Sequence, residues 1–103
     1  MGFRLTQAAD DDLVRIYAES AARFGPNQAD FYHDLLFDAF DRIATNPEIA
    51  RERDEYVPPV RIHAVGAHVI IYVQTDDNVL IIRVRHGRED WSSDPSAIKG
   101  GTG

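Results

Sequence analysis

The spacing of apolar residues passes from a helical to a strand period midway along this chain, and that change limits the fold more than any other feature. Ala9, Leu13, Ile16, Tyr17, Ser20 and Phe24 recur at three and four residues, one stripe of a helix. Tyr32, Leu35, Leu36, Ala39, Phe40 and Ile43 form a second such stripe, ended by Asn46-Pro47. From Val60 onward the period is two, as in strands with distinct faces. Two helices followed by a run of strands form an α+β fold.

The punctuation fits that order. Phe3 and Leu5 alternate with Arg4 and Thr6, a short strand ahead of the first helix. Asp10, Asp11 and Asp12 occupy the first helical turn, where the helix dipole favours negative charge. Gly25-Pro26 stops the first helix and suits the start of the second, predicting an antiparallel helical hairpin. Residues 48–59 are charged and close with Pro58-Pro59, an irregular connection with room for one helical turn. Val60, Ile62 and Ala64 then alternate with Arg61 and His63, Val65-Gly66-Ala67 turns the chain, and Val69, Ile71 and Val73 alternate with Ile70 and Tyr72. After an Asp76-Asp77-Asn78 turn, Leu80, Ile82 and Val84 point one way and Val79, Ile81, Arg83 and Arg85 the other. The expected architecture is β-α-α-β-β-β, with the hairpin packed on one face of a mainly antiparallel twisted sheet that also takes in the N-terminal strand. Tyr17, Phe24, Tyr32 and Phe40 fall on the helical stripes and are assigned to the core. One domain is expected over residues 1–91, with a flexible Ser- and Gly-containing tail over 92–103.

Composition removes several function classes. Eleven basic residues against seventeen acidic ones give a net charge of −6, which disfavours nucleic-acid binding through bulk positive charge. The absence of cysteine excludes thiol nucleophiles, disulfides and thiolate metal sites. The apolar run Val69 to Val73 is far too short to span a bilayer, and no basic-then-apolar leader opens the chain, so a cytoplasmic chain without membrane contact is expected. Serine elbows, phosphate-binding glycine loops and HExxH pairs are absent, and His63 and His68 lack metal-ligand spacing. No metal or cofactor is expected.

The charge is unevenly spread. Residues 1–55 carry six arginines against twelve acids, whereas residues 56–103 are balanced and hold His63, His68 and His86. Arg61 with His63, Arg83 with Arg85, and the following His86, Gly87 and Arg88 could hold an anion, supply acid–base groups for phosphodiester cleavage, or form a solvated sheet face. Phe37 lies off its helical stripe between Asp34, Asp38 and Asp41, an apolar ring on an acidic face.

An ordered set of residues resembles the ParE family of type II toxins in the RelE/ParE superfamily. It runs Leu5-Thr6, Ala9, Asp12-Leu13, Ile16, Phe24-Gly25, Ala29, Tyr32 and Asn46-Pro47, then His68 to Tyr72, then Ile82 to Trp91. The resemblance covers about residues 3–91. It implies a bacterial toxin, neutralised by the C-terminal segment of a ParD-like antitoxin, that poisons DNA gyrase by stabilising its cleaved-DNA complex and is not an enzyme. On that reading Arg83, Arg85, His86, Arg88, Asp90 and Trp91 are expected to face the target, and Asp34, Phe37, Asp38, Asp41 and Arg61 the antitoxin. The sister RelE-like branch cleaves ribosome-bound mRNA with basic side chains and a terminal tyrosine. Here the only lysine is Lys99, His68 stands where those enzymes place a tyrosine–arginine pair, and the last aromatic is Trp91. Arg61, His68 and Arg88 are the residual positions of such a site. A third reading is a non-toxic module that binds the antitoxin and regulates its own expression.

Overall fold

Thr6 ties the first helix to the sheet. In the computed structural model, which describes residues 2–88, strand β1 (Gly2–Leu5) leads into α1 (Gln7–Phe24). The Thr6 hydroxyl accepts the Ala9 N–H at 3.0 Å, capping the helix, and donates to the Ile82 carbonyl at 2.7 Å. Gly25 alone separates α1 from α2 (Pro26–Thr45). Its φ of 91° is a conformation that favours glycine, and Pro26 takes the first turn of α2, where a missing N–H costs nothing. The predicted helical hairpin is therefore formed at Gly25-Pro26.

A 3-10 turn over Pro47–Ile49 leads to β2 (Glu52–Arg53), β3 (Val60–Val65), β4 (His68–Gln74) and β5 (Asn78–His86). The sheet order is β1-β5-β4-β3-β2, with β1 parallel to β5 and every other pair antiparallel. Strand β2 corrects the irregular connection expected over 48–59: Glu52 pairs with Arg61 and Arg53 with Val60. Two residues are too few to show a period in the sequence.

The core forms where the hairpin meets one face of the sheet. Leu13, Ile16, Leu36, Phe40 and Ile43 pack with Ile70, Tyr72, Val79, Ile81 and Val84. Tyr72 is fully buried, and its hydroxyl donates to the Pro47 carbonyl at 2.7 Å, fixing the turn after α2. A smaller cluster, Val60 and Ile71 with Tyr56, Ile62, Val73 and Ile82, occupies the opposite face.

The unbroken alternation expected in β5 is corrected by a bulge. Tyr72 pairs with Ile81 and Ile71 with Arg83, so Ile82 is the extra residue. One added residue reverses the parity of the strand, which is why Val84 joins Val79 and Ile81 in the core. The aromatic assignments also need revision. Phe40 is buried, Tyr17 and Tyr32 are half-buried, and Phe24 is 66% exposed. The last buried position of α1 is Ile16, and the helix continues two turns beyond it. Among the described residues no helix is long and apolar enough to cross a membrane. The domain limit at residue 91 and the tail over 92–103 lie outside the described residues.

Gly66, in the β3–β4 turn, has φ of 55°, and a Cβ there would lie 2.8 Å from the Tyr32 ring and hydroxyl. Gly66→Ala should therefore destabilise the chain by about 1–3 kcal/mol in urea unfolding, from backbone strain and displacement of the ring.

Candidate functional site

Strand β1 covers only the first part of β5, from Asn78 to Ile81. The edge beyond it would present unpaired backbone groups to water, and α1 closes it. Thr6 N–H donates to the Ile81 carbonyl, and the Thr6 hydroxyl to that of Ile82. Farther along α1, the Asp12 carboxylate accepts the Val84 N–H at 3.0 Å. Asp12 is 1% exposed. Arg83 donates to it from Nε at 2.8 Å and from Nη2 at 2.9 Å, Arg15 donates at 3.0 Å, and Arg85 Nη1 lies 3.9 Å away. A buried anion is tolerable only when paired and hydrogen-bonded, and this one meets both conditions. Burial pushes the Asp12 carboxyl up, but the hydrogen bonds from Arg83, the Val84 backbone and Arg15 outweigh it and hold the group below the usual carboxylate range.

Arg83 and Arg85 are thus turned towards Asp12, with side chains 12% and 17% exposed. The sequence placed Asp12 in the first helical turn and in the family pattern; α1 starts at Gln7, so of the three aspartates Asp10 alone is in the first turn. The position of Asp12 on the stripe with Ala9, Leu13 and Ile16 was the available signal that it is buried.

His86 and Arg88 lie past this clasp. His86 pairs across the ladder with His68, their rings 5.3 Å apart. Gly87 N–H donates to the Ala67 carbonyl at 2.8 Å, and Arg88 N–H to His86 Nδ1 at 3.1 Å. The Tyr32 hydroxyl accepts the Ala67 N–H at 3.0 Å and lies 2.6 Å from His68 Nδ1. The same hydroxyl lies 3.5 Å from the Val65 carbonyl, so the ring is tied to both ends of the β3–β4 turn. Burial raises the pKa of Tyr32, which favours the neutral donor. These three rings line a cleft of about 340 Å³ together with Arg23 and Phe24. Arg88 itself is exposed. Asp90 and Trp91 lie outside the described residues.

On α2, Asp34, Asp38 and Asp41 are exposed as expected, but Phe37 is not presented as a bare ring. It packs against Phe40 at 5.1 Å and Phe3 at 6.2 Å and stacks on His33 at 4.5 Å. Asp34 and Phe37 share an open groove between α1 and α2. Arg61 is elsewhere: on β3, donating to the Ala50 carbonyl at 2.6 Å. It pairs with Tyr72, whereas His68 pairs with Val65, so Arg61 and His68 sit at opposite ends of the hairpin, about 13 Å apart along the strands. Among the described residues no group of three or more His, Asp or Glu side chains is placed to hold a metal ion.

Residues 3–91 match the family model described as the ParE toxin of the type II toxin–antitoxin system parDE. The chain belongs to the ParE toxin family. Relatives of this ParE-family chain include Toxin ParE1 of Mycobacterium tuberculosis H37Rv, 36% identical over 89 residues, which span 85% of this chain and 91% of that protein. Toxin ParE3 of Caulobacter vibrioides is 24% identical over 83 residues, covering 81% and 83%. A solved chain from the chromosomal ParDE TA system of P. aeruginosa shares the fold, with a TM-score of 0.73 at 19% identity over 84% of this chain and 95% of that one.

Asp12→Ala leaves the Arg83 and Arg85 guanidinium groups beside an empty acceptor site and should cost about 3–5 kcal/mol in urea unfolding. Because the folded-state pKa of Asp12 is depressed, its stabilisation is complete above the unfolded value of about 3.9 and lost as pH falls through the folded value. Acid titration of stability should accordingly be flatter in Asp12→Ala than in the wild-type chain.

Proposed function

We propose that this chain is a toxin that acts by binding, stabilising the cleaved-DNA complex of DNA gyrase, and that a ParD-like antitoxin neutralises it in the bacterial cytoplasm. The observation that carries the reading is the family match across residues 3–91, nearly the whole described chain. Membership of a type II toxin–antitoxin family and the likeness to a ParDE system support a protein antitoxin as partner. The geometry supports binding over turnover. A RelE-like ribonuclease would need its basic groups gathered around one phosphate, and Arg61 and His68 stand at opposite ends of their hairpin. No cofactor enters this reading.

Within the expected target face, Arg83 and Arg85 hold the sheet edge to α1, so His86 and Arg88 at the tip of β5 are better suited to meet a partner. Asp34, Asp38 and Asp41 on α2 form a separate acidic face suited to basic antitoxin side chains.

The test combines gyrase supercoiling and cleavage assays with mRNA integrity in a translation extract. The purified chain should trap cleaved DNA and leave message intact. Arg88→Glu should weaken trapping at least about tenfold with an unchanged melting curve, as expected for a charge reversal at an exposed contact. Cleaved message with unaffected gyrase would instead establish the RelE-like reading through Arg61, His68 or Arg88. Silence in both assays would favour the non-toxic antitoxin-binding module.

A further inference from the structure

The cleft between the tip of the helical hairpin and the His68–His86 pair gathers groups that neither the core nor the Asp12 clasp uses. Both helices, β4 and β5 contribute to it. The last buried position of α1 is Ile16, yet the helix runs on for two turns and brings Arg23 and Phe24 to the cleft. Phe24 is largely exposed, and the Arg23 guanidinium lies 5.8 Å from the centre of its ring. Among the described residues no carboxylate pairs with Arg23, and Glu19, which also lines the cleft, lies 4.0 Å from Arg15. From the sheet side, His86 Nδ1 accepts the Arg88 N–H, so the neutral ring carries its hydrogen on Nε2. That nitrogen is a donor, which suits an anion; a metal ion would need a lone pair there.

We infer that this cleft binds a nucleotide, its phosphate held by Arg23 and His86 and its base stacked on Phe24. A guanidinium fork matches phosphate oxygens in pairs, and an imidazole N–H adds a further donor. An aromatic face accepts any base, because every base has a π-face, so stacking on Phe24 brings no sequence preference. Ser20 and Gln28 line the same cleft and supply a hydroxyl and an amide for the sugar or the base edge. The volume of about 340 Å³ lies at the lower end of the range for small-ligand sites, about 300–1,000 Å³, which is room for one nucleotide and not for a duplex. The net charge of −6 opposes a long run of phosphates, whereas a single phosphate needs only the local cation. A free nucleotide and one unit of a single strand present the same chemistry to these groups.

An NMR titration of the full chain with deoxyadenosine monophosphate tests this. Amide shifts should gather at Ser20, Phe24, Gln28, Tyr32, His68 and His86, and deoxyadenosine or inorganic phosphate alone should bind at least about tenfold more weakly. Arg23→Gln and Phe24→Ala change exposed side chains. Both should melt with the wild-type chain, and each should weaken the nucleotide at least about tenfold. A single-stranded deoxyadenosine tetranucleotide distinguishes the two sources: tighter binding than the mononucleotide, with the same shifts, assigns the cleft to a strand, and weaker binding assigns it to the free nucleotide. Inorganic phosphate binding as tightly as the nucleotide would make the cleft a plain anion site and overturn the proposal. Deoxyadenosine binding as tightly as the nucleotide would remove the phosphate contact and overturn it too, as would shifts confined to another surface or none at all. Gyrase takes no part in the titration, so its outcome stands apart from the gyrase reading.

Discussion

One buried carboxylate, that of Asp12, joins the two halves of this protein. Strand β1 is too short to cover β5, so the outer edge of β5 beyond Ile81 needs another partner for its backbone. Asp12 supplies it by accepting the Val84 N–H, and the same group collects Arg83 and Arg15 directly and Arg85 at 3.9 Å. Removing a carboxylate from water costs several kcal/mol, a cost offset here by charge-assisted bonds whose geometry is fixed on both sides. The bulge at Ile82 belongs to the same arrangement. By reversing the parity of β5, it gives Val84 to the core while Arg83 remains able to reach Asp12.

This arrangement divides the positive region of the second half by role. Arg83 and Arg85 are largely withdrawn from solvent by their counter-ion, whereas Arg88 stands beyond the clasp on a turn stitched to the β3–β4 connection through Gly87 and Ala67. Tyr32 extends the stitching from α2 through Ala67 and His68. The tip of β5 is therefore held by backbone and ring contacts while its last described side chain stays exposed. Between α1 and α2 the acidic hairpin carries a second open groove, lined by Leu13, Val14, Tyr17 and Phe37 with Asp10, Asp30 and Asp34. Two partners of opposite charge preference could then be met on separate surfaces, as a toxin with an antitoxin and a target would require.

The sequence was most legible where a single period ran unbroken. The stripes of α1 and α2, the Gly25-Pro26 junction and the β3–β4–β5 order follow from apolar spacing and turn residues alone. The bulge was not legible, because Ile81 and Ile82 are both apolar and either could face the core. Phe24 kept the helical period after the core had ended, so periodicity overstated its burial. At the site, the adjacency of Arg83 and Arg85 could be read from the strand pattern, but their counter-ion lies some seventy residues earlier. Asp12 did carry a local signal, a charged residue on an apolar stripe, and such a residue calls for a distant partner. Phe37 carried a misleading one: flanking aspartates suggested a presented ring, whereas Phe3 and Phe40 hold it from beneath.

A double-mutant cycle between Asp12 and Arg83, followed by urea unfolding at neutral pH, tests the clasp most directly. With Asp12→Ala, Arg83→Ala and the double variant, a coupling free energy of about 2 kcal/mol is expected, because either single change removes the two-bond ion pair from a group withdrawn from solvent. Additive costs, within about 0.5 kcal/mol, would contradict the clasp as the contact that holds α1 to the edge of β5.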